Sequence, residues 1–261
     1  MKKIIRLTVA FLIIVILYAW GFTRKTEFYD VKSEKNSLRI VFISDLHNCT
    51  YGGKDQSGIT GEIDRNKPDL VLFGGDVIHD TVGTENALTL MKYVSEKYLC
   101  AYSAGNHEAW RDNVEEFYQD VISMGIPVLN HGESTDFMIN NKKVSVYGVQ
   151  NSDGKVKSIN PDDDSYNILL LHQPEQFKEF KESFDLILSG HAHGGQWRLP
   201  VILEQGLYAP NQGLFPEYTN GKYEYGNCTH IISRGLARPL SMIFIPRIFN
   251  RPEISVIDIY Q

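Results

Sequence analysis

Five short apolar runs, each closed by side chains able to hold a metal or a proton, constrain this chain more than any other feature. They are "LRIVFIS" (38–44), "DLVLFGG" (69–75), "LCAYSAG" (99–105), "YNILLLH" (166–172) and "FDLILSG" (184–190). Near-continuous apolar character over so few residues marks strands buried on both faces. Between the first of them, 55–66, 84–97 and 111–124 carry apolar residues at helical spacing, for example Leu88, Met91 and Val94. Strands alternating with helices indicate βαβ units and a largely parallel core sheet. "DFMIN" and "KVSVYGV" flank Asn140–Lys142 as a hairpin would. The closing "EISVIDIY" alternates like a strand, and with the Gly-, Pro- and Tyr-rich stretch before it suggests a second, more antiparallel sheet packed on the first.

A chain of 261 residues, 43% hydrophobic, buries one sizeable core. A formal net charge of −6 leaves no broad basic surface for phosphate backbones, so nucleic-acid binding is disfavoured. Cys49, Cys100 and Cys228 are too few and too far apart for a disulfide framework or a CxxC zinc site, and read as buried small residues.

The N-terminus carries Lys2, Lys3 and Arg6 ahead of an apolar run from Leu7 to Phe22. As a helix at 1.5 Å per residue it would cover about 24 Å of a hydrocarbon core roughly 30 Å thick. Tyr18 and Trp20 suit an interface, and no small-residue cleavage site follows, which favours an uncleaved transmembrane anchor over a secretory peptide. The expected organisation is an anchor at 1–25, a charged linker at 26–37 and a catalytic domain at 38–261. By the excess of positive charge before the run, the domain is expected outside the cytoplasm, held at the cell membrane by one pass. Few charges separate the two orientations.

The strand ends carry the chemistry. The first run closes on Asp45 and His47, the second on Asp76, the third on Asn106, His107 and Glu108, the fourth on His172, and the fifth on His191 and His193. In a parallel α/β sheet the carboxyl ends of the strands share one edge, where ligands bind. Singly, Asp45 or Asp76 could cap a helix, Asn106 could serve a turn, and His172 could be a hydrogen-bonded structural histidine. Yet five of the eight histidines fall at predicted strand ends. Residues i and i+2 of an extended chain point the same way, so Asp45 with His47, and His191 with His193, can each turn two donors into one pocket. Mixed oxygen and nitrogen donors suit manganese, iron or zinc. Seven ligands exceed the need of one ion and fit a pair that clamps the attacking and leaving oxygens of a phosphoryl displacement.

Asp-x-His, Gly-Asp, Gly-Asn-His-Glu, an isolated His and Gly-His-x-His, in this order, resemble the calcineurin-like metallophosphoesterase superfamily, over about residues 38 to 259. "GHAHGGQW" and "GLYAPNQGLFPEYTNGKY" are similar to its bacterial phosphodiesterase branch of the YkuE and YaeI type, itself similar to enzymes that cleave the UDP-diacylglucosamine pyrophosphate bond. The resemblance implies an α/β four-layer sandwich of two mixed β-sheets flanked by helices. It implies one metal on Asp45, His47 and His193, a second on Asn106, His172 and His191, and Asp76 between them. His107 would protonate the leaving oxygen, with Asn106 near the substrate and Glu108 either orienting His107 or merely starting a helix. The substrate would be a phosphodiester or pyrophosphate, including lipid and cell-envelope intermediates.

"GDVIHD" lacks the arginine that phosphoprotein phosphatases of the superfamily carry there, which weakens a phosphoprotein substrate and leaves His79 and Asp80 unassigned. Asp80 could hydrogen-bond a catalytic histidine or lie on a loop surface. Arg198, Arg234 and Arg238 could grip phosphate or form ordinary ion pairs, and Tyr208, Phe215, Tyr218 and Tyr223 could wall the site or pack the second sheet. A rival reading is a membrane-tethered protein that holds phosphate on its metals without turnover. It has no use for the acid at His107.

Overall fold

The computed structural model describes residues 2–19, 23–150, 159–238 and 247–261, and in it all five apolar runs are strands. Strands are numbered along the chain. The first sheet runs in the order β1 (Lys25–Lys32), β13 (Glu253–Tyr260), β2 (Leu38–Ile43), β3 (Leu70–Gly74), β4 (Leu99–Ser103). The second runs β11 (Gly221–Tyr225), β12 (Cys228–Ile232), β8 (Leu186–Ser189), β7 (Tyr166–Leu171), β6 (Lys142–Val149), β5 (Ser134–Ile139). A short hairpin, β9 (Tyr208–Ala209) with β10 (Gly213–Leu214), stands apart.

Alternation within each run explains its lack of polar residues. Ile40, Phe42, Leu70 and Leu72 of the first sheet meet Ile168, Leu170, Leu186 and Leu188 of the second in one core between the sheets. The intervening Val41, Ile43, Val71 and Phe73 face outward, under helices α2 (Ser57–Asn66), α3 (Glu85–Ser95) and α4 (Val114–Ser123). On the far side of the second sheet, Leu169, Leu171 and Ile187 are covered by Phe177 of a 3-10 turn at Pro174–Glu179, with Phe180 and Phe184 beyond it. Burial of each such side chain contributes about 1.5–3 kcal/mol. Both faces are apolar because both are covered.

Three expectations are corrected. The ligand-bearing strands do not share one sheet: β2, β3 and β4 belong to the first, β7 and β8 to the second. A parallel strand buried on both faces has the same composition in either sheet. The closing strand β13 lies in the first sheet, antiparallel to β2, and not in the second. Finally, the stretch expected as a linker carries β1, paired in parallel with β13. As an edge strand it is mostly half-buried or exposed, which explains its charged sequence.

The N-terminal helix α1 spans Lys2–Ala19, and among the described residues no helix is long and apolar enough to cross a membrane. The expected transmembrane segment is corrected to this extent: Lys2, Lys3 and Arg6 fall within the helix, and the run's last residues, Trp20 to Phe22, lie outside the described ones. From Ile4 to Ile16 its large apolar side chains, Val15 apart, are exposed.

Candidate metal centre

Although split between two sheets, the carboxyl ends of the five strands face each other. His172 Nδ1, after β7, donates to Gly74 O at the end of β3 (2.8 Å), and His191 N, after β8, donates to Asp45 Oδ1, after β2 (2.9 Å). Asp45, His47, Asp76, Asn106, His172, His191 and His193 all gather here, each at most 4% exposed. His107 is half-buried.

The convergence does not come from strand period. Asp45, His47, Asp76, His191 and His193 have φ of 49°, 47°, 50°, 64° and 46°, in the left-handed region that non-glycine residues avoid. The chain turns sharply after β2, β3 and β8, and such residues cost about 1–3 kcal/mol each and persist only where the surroundings enforce them. Close glycines make room. A Cβ on Gly190 would stand 2.4 Å from Asp45 Oδ2, and one on Gly105 would stand 2.3 Å from Asp76 Oδ1.

Asp45, His47 and His193 form one donor group, and Asp76, His172 and His191 another, with the donor atoms of each group within 4.8 Å of one another. Asp76 joins them, its Oδ2 lying 3.0 Å from His172 Nε2 and 3.8 Å from His47 Nε2. Its Oδ1 accepts the His107 N–H (2.8 Å), so Oδ2 is the oxygen that faces the two imidazoles. Among the described residues, Asn106 Oδ1, Asp45 Oδ2 and His47 Nε2 are buried without hydrogen-bond partners. Orphaned acceptors in one buried cluster are costly unless a cation meets them.

Protonation fits the same donor role. Burial pushes His47 and His191 down to about 3, and His193 down as well, so their imidazoles are neutral and have a lone pair to give. Burial raises Asp45 to about 6. For His172 burial works downward, but Asp76 beside it prevails and lifts it to about 10. Without an ion, His172 supplies the positive charge that the carboxylates lack.

A third group, His47, His79 and His107, lies at the rim. The His79 and His107 rings are 4.6 Å apart, and Nδ1 of each stands 2.8 Å from Asp80 Oδ1. The Asp80 carboxylate therefore braces His107, one of the two roles its position in the sequence allowed.

Glu108 does not contact His107 through its carboxylate. Fully buried, it accepts from the backbone N–H groups of Gly105 (2.8 Å), Asp76 (2.8 Å), Val77 (2.7 Å) and Ile78 (3.1 Å). It ties the loops after β3 and β4 together, and burial next to Asp76 raises it to about 7.

Side chains from the C-terminal stretch bear on the same histidines. Asn250 Nδ2 donates to His193 O (2.6 Å), Asn211 Nδ2 lies 3.3 Å from His191 Nε2, and the wholly buried Arg247 places Nη2 3.2 Å from His193 Nδ1. A guanidinium only donates and a neutral imidazole has one lone pair, so ligation through His193 Nε2 requires the Arg247 contact to open. Among the arginines singled out earlier, Arg238 stacks on Tyr51 (4.1 Å), while Arg198 and Arg234 line a cavity beside the centre. Tyr218 and Tyr223 pack around Phe177 on the second sheet, and Phe215 is exposed, so the four aromatics form no single wall.

Buried His and Asp donors at the strand ends of two stacked mixed sheets define an α/β metallophosphoesterase fold. Residues 38–195 match the calcineurin-like phosphoesterase family, and the chain belongs to it. It is 30% identical over 235 residues to the uncharacterized metallophosphoesterase YkuE of Bacillus subtilis, covering 85% of this chain and 78% of that one. An uncharacterized metallophosphoesterase of Aquifex aeolicus is 29% identical, with 90% and 91% covered. The solved structure of the NAD nucleotidase of Haemophilus influenzae matches with a TM-score of 0.50 at 17% identity, over 77% of this chain and 45% of its own, a likeness of fold alone.

Proposed function

We propose that the protein hydrolyses a phosphodiester or pyrophosphate bond at a dinuclear metal centre, and does so at a membrane. The observation that carries the reading is the place of Asp76 Oδ2 between His47 and His172, one from each donor group. Asp45, His47 and His193 hold one divalent ion, Asn106, His172 and His191 the other, and Asp76 is shared. Manganese, iron and zinc all suit this mixed oxygen and nitrogen set. When bound, such a pair supplies Lewis acidity for displacement at phosphorus.

The chain's own groups do the rest. Gly74 O takes the Nδ1 proton of His172 and so keeps its Nε2 aimed at Asp76. His107, half-buried and braced at Nδ1 by Asp80, delivers a proton to the leaving oxygen. A protein that only held phosphate on its metals would have no use for this acid, which favours turnover over simple binding. The exposed apolar side chains of α1 favour attachment to lipid and, with it, a lipid-linked pyrophosphate among the candidate substrates.

The test is hydrolysis of a chromogenic phosphodiester by the full chain in detergent, with manganese and with chelator. Metal-dependent turnover that is lost in His107→Ala supports the reading. Turnover that chelator leaves unchanged contradicts it.

A further inference from the structure

The edge that carries the metal-centre donors also carries exposed apolar side chains. Leu199 and Leu203 close a tight hairpin, Leu203 N donating to Leu199 O (2.7 Å), and its tip holds Val201 and Ile202 88% and 83% exposed. Val201 has φ of 71°, a left-handed conformation that strains a β-branched residue. A branched apolar pair held out in water, one member strained, gains nothing from folding. Leu207 N donates to Trp197 O and Phe215 N to Leu207 O, which sets the exposed Leu214 and Phe215 beside this hairpin.

Next to the tip lies a cavity of about 370 Å³, lined by Arg198 and Arg234 with Leu199, Pro200 and Phe249, and by one acid, Glu204. Arg198 is braced by Gly194 O (3.0 Å) and by Asn220, while among the described residues Arg234 Nε has no hydrogen bond and lies 3.6 Å from the Glu253 carboxylate. Two guanidiniums turned to one cavity, with Glu204 in its lining and Glu253 beside Arg234, offer the planar donors that suit a phosphate group.

The chain leading from α1 rejoins the body at this same edge. Arg198 N donates to Ile248 O, and three residues further on Arg251 donates to Thr23 O (2.9 Å) and Arg24 O (2.6 Å). Only residues 20–22 separate Thr23 from the exposed apolar helix.

We propose that this edge is a membrane-docking face: the Leu199–Leu203 tip, with Leu214 and Phe215, enters the acyl region of an anionic bilayer, and lipid phosphate groups occupy the Arg198–Arg234 cavity. The proposal rests on the reading of α1 as a lipid-attached helix, and it turns the metal centre toward the bilayer. Substrate then reaches the centre from the lipid phase.

The test uses the full chain carrying Val201→Cys, labelled with an environment-sensitive fluorophore; the native Cys49, Cys100 and Cys228 are buried and escape the label. Vesicles contain phosphatidylcholine alone or in equal parts with phosphatidylglycerol, with a lipid-borne nitroxide quencher, and flotation separately reports attachment. The label at position 201 should shift to the blue and lose most of its emission on the anionic vesicles, and a label at Met138→Cys, exposed on β5, should not. Arg198→Ala should lower the quenching, while Val201→Asp should abolish docking and leave turnover of a soluble diester unchanged.

A chain that floats while its label stays in water overturns the docking face and leaves membrane attachment standing. A chain that does not float overturns both. A blue shift that needs no vesicles and grows with protein concentration assigns the patch to a second copy and overturns the proposal. Quenching equal on both lipids and indifferent to Arg198→Ala overturns the phosphate seat. Diester turnover measured alongside keeps each of these outcomes separate from the phosphoesterase reading.

Discussion

Asp76 Oδ2 and His172 Nε2 lie 3.0 Å apart although their strands, β3 and β7, belong to different sheets. The sheets are joined by their shared core and, at this end, by contacts among polar groups. Seven of these groups are buried, and several acceptors have no hydrogen-bond partner among the described residues. Such an arrangement is unfavourable by itself and favourable around cations.

Removing the shared carboxylate should loosen both ions. Asp76→Ala is expected to weaken metal retention by more than the roughly 10–100-fold that loss of a supporting partner costs. His191→Ala should weaken one ion and leave the other. Metal content after dialysis against graded chelator separates the two patterns.

His107 should matter to turnover and not to metal content. His107→Ala is expected to lower kcat by about 100- to 10,000-fold, and Asp80→Asn, which removes the brace on Nδ1, by less. Steady-state kinetics beside metal analysis checks this. Loss of metal in His107→Ala would move His107 into the ligand set.

Glu108 should matter to stability. Glu108→Ala strands the buried N–H groups of Asp76, Val77, Ile78 and Gly105, and a cost of about 4 kcal/mol is expected, since each orphaned donor costs about 1–3 kcal/mol before relaxation. Glu108→Gln should cost less. Chemical denaturation of the metal-free proteins measures both.

The site was legible because its residues break a pattern. Asp45, His47, Asp76, Asn106, His107, His172, His191 and His193 end apolar runs that have no other use for polar side chains. Which sheet each run joined was not legible, because β3 and β7 are both buried on both faces and differ in no local signal. The role of Glu108 was hidden for another reason: its partners are backbone groups, and backbone groups leave no mark in a sequence. Arg247 and Asn250 reach His193 from over 50 positions away, a pairing that no local spacing in the sequence announces. β1 passed for a linker because an edge strand keeps a polar face.

His230 gives a pH dependence away from the ligands. Burial against Phe177, with Ser189 Oγ 2.9 Å from Nε2, pushes its imidazole from 6.5 down to about 3. Between those values the unfolded chain binds a proton that the folded one refuses, so stability is complete above about pH 6.5 and falls as pH drops toward 3. One such group contributes up to about 1.4 kcal/mol per pH unit. In urea titrations from pH 7 to pH 4, His230→Gln should flatten the slope by about that amount; an unchanged slope would contradict the buried neutral imidazole.

The central claim is tested most directly by adding manganese stepwise to metal-free full-length protein while following both bound metal and phosphodiester hydrolysis. Activity should appear only as the second equivalent binds, and in Asp76→Ala it should not appear at all. Full activity at a single equivalent, or hydrolysis in the presence of chelator, would contradict the dinuclear centre.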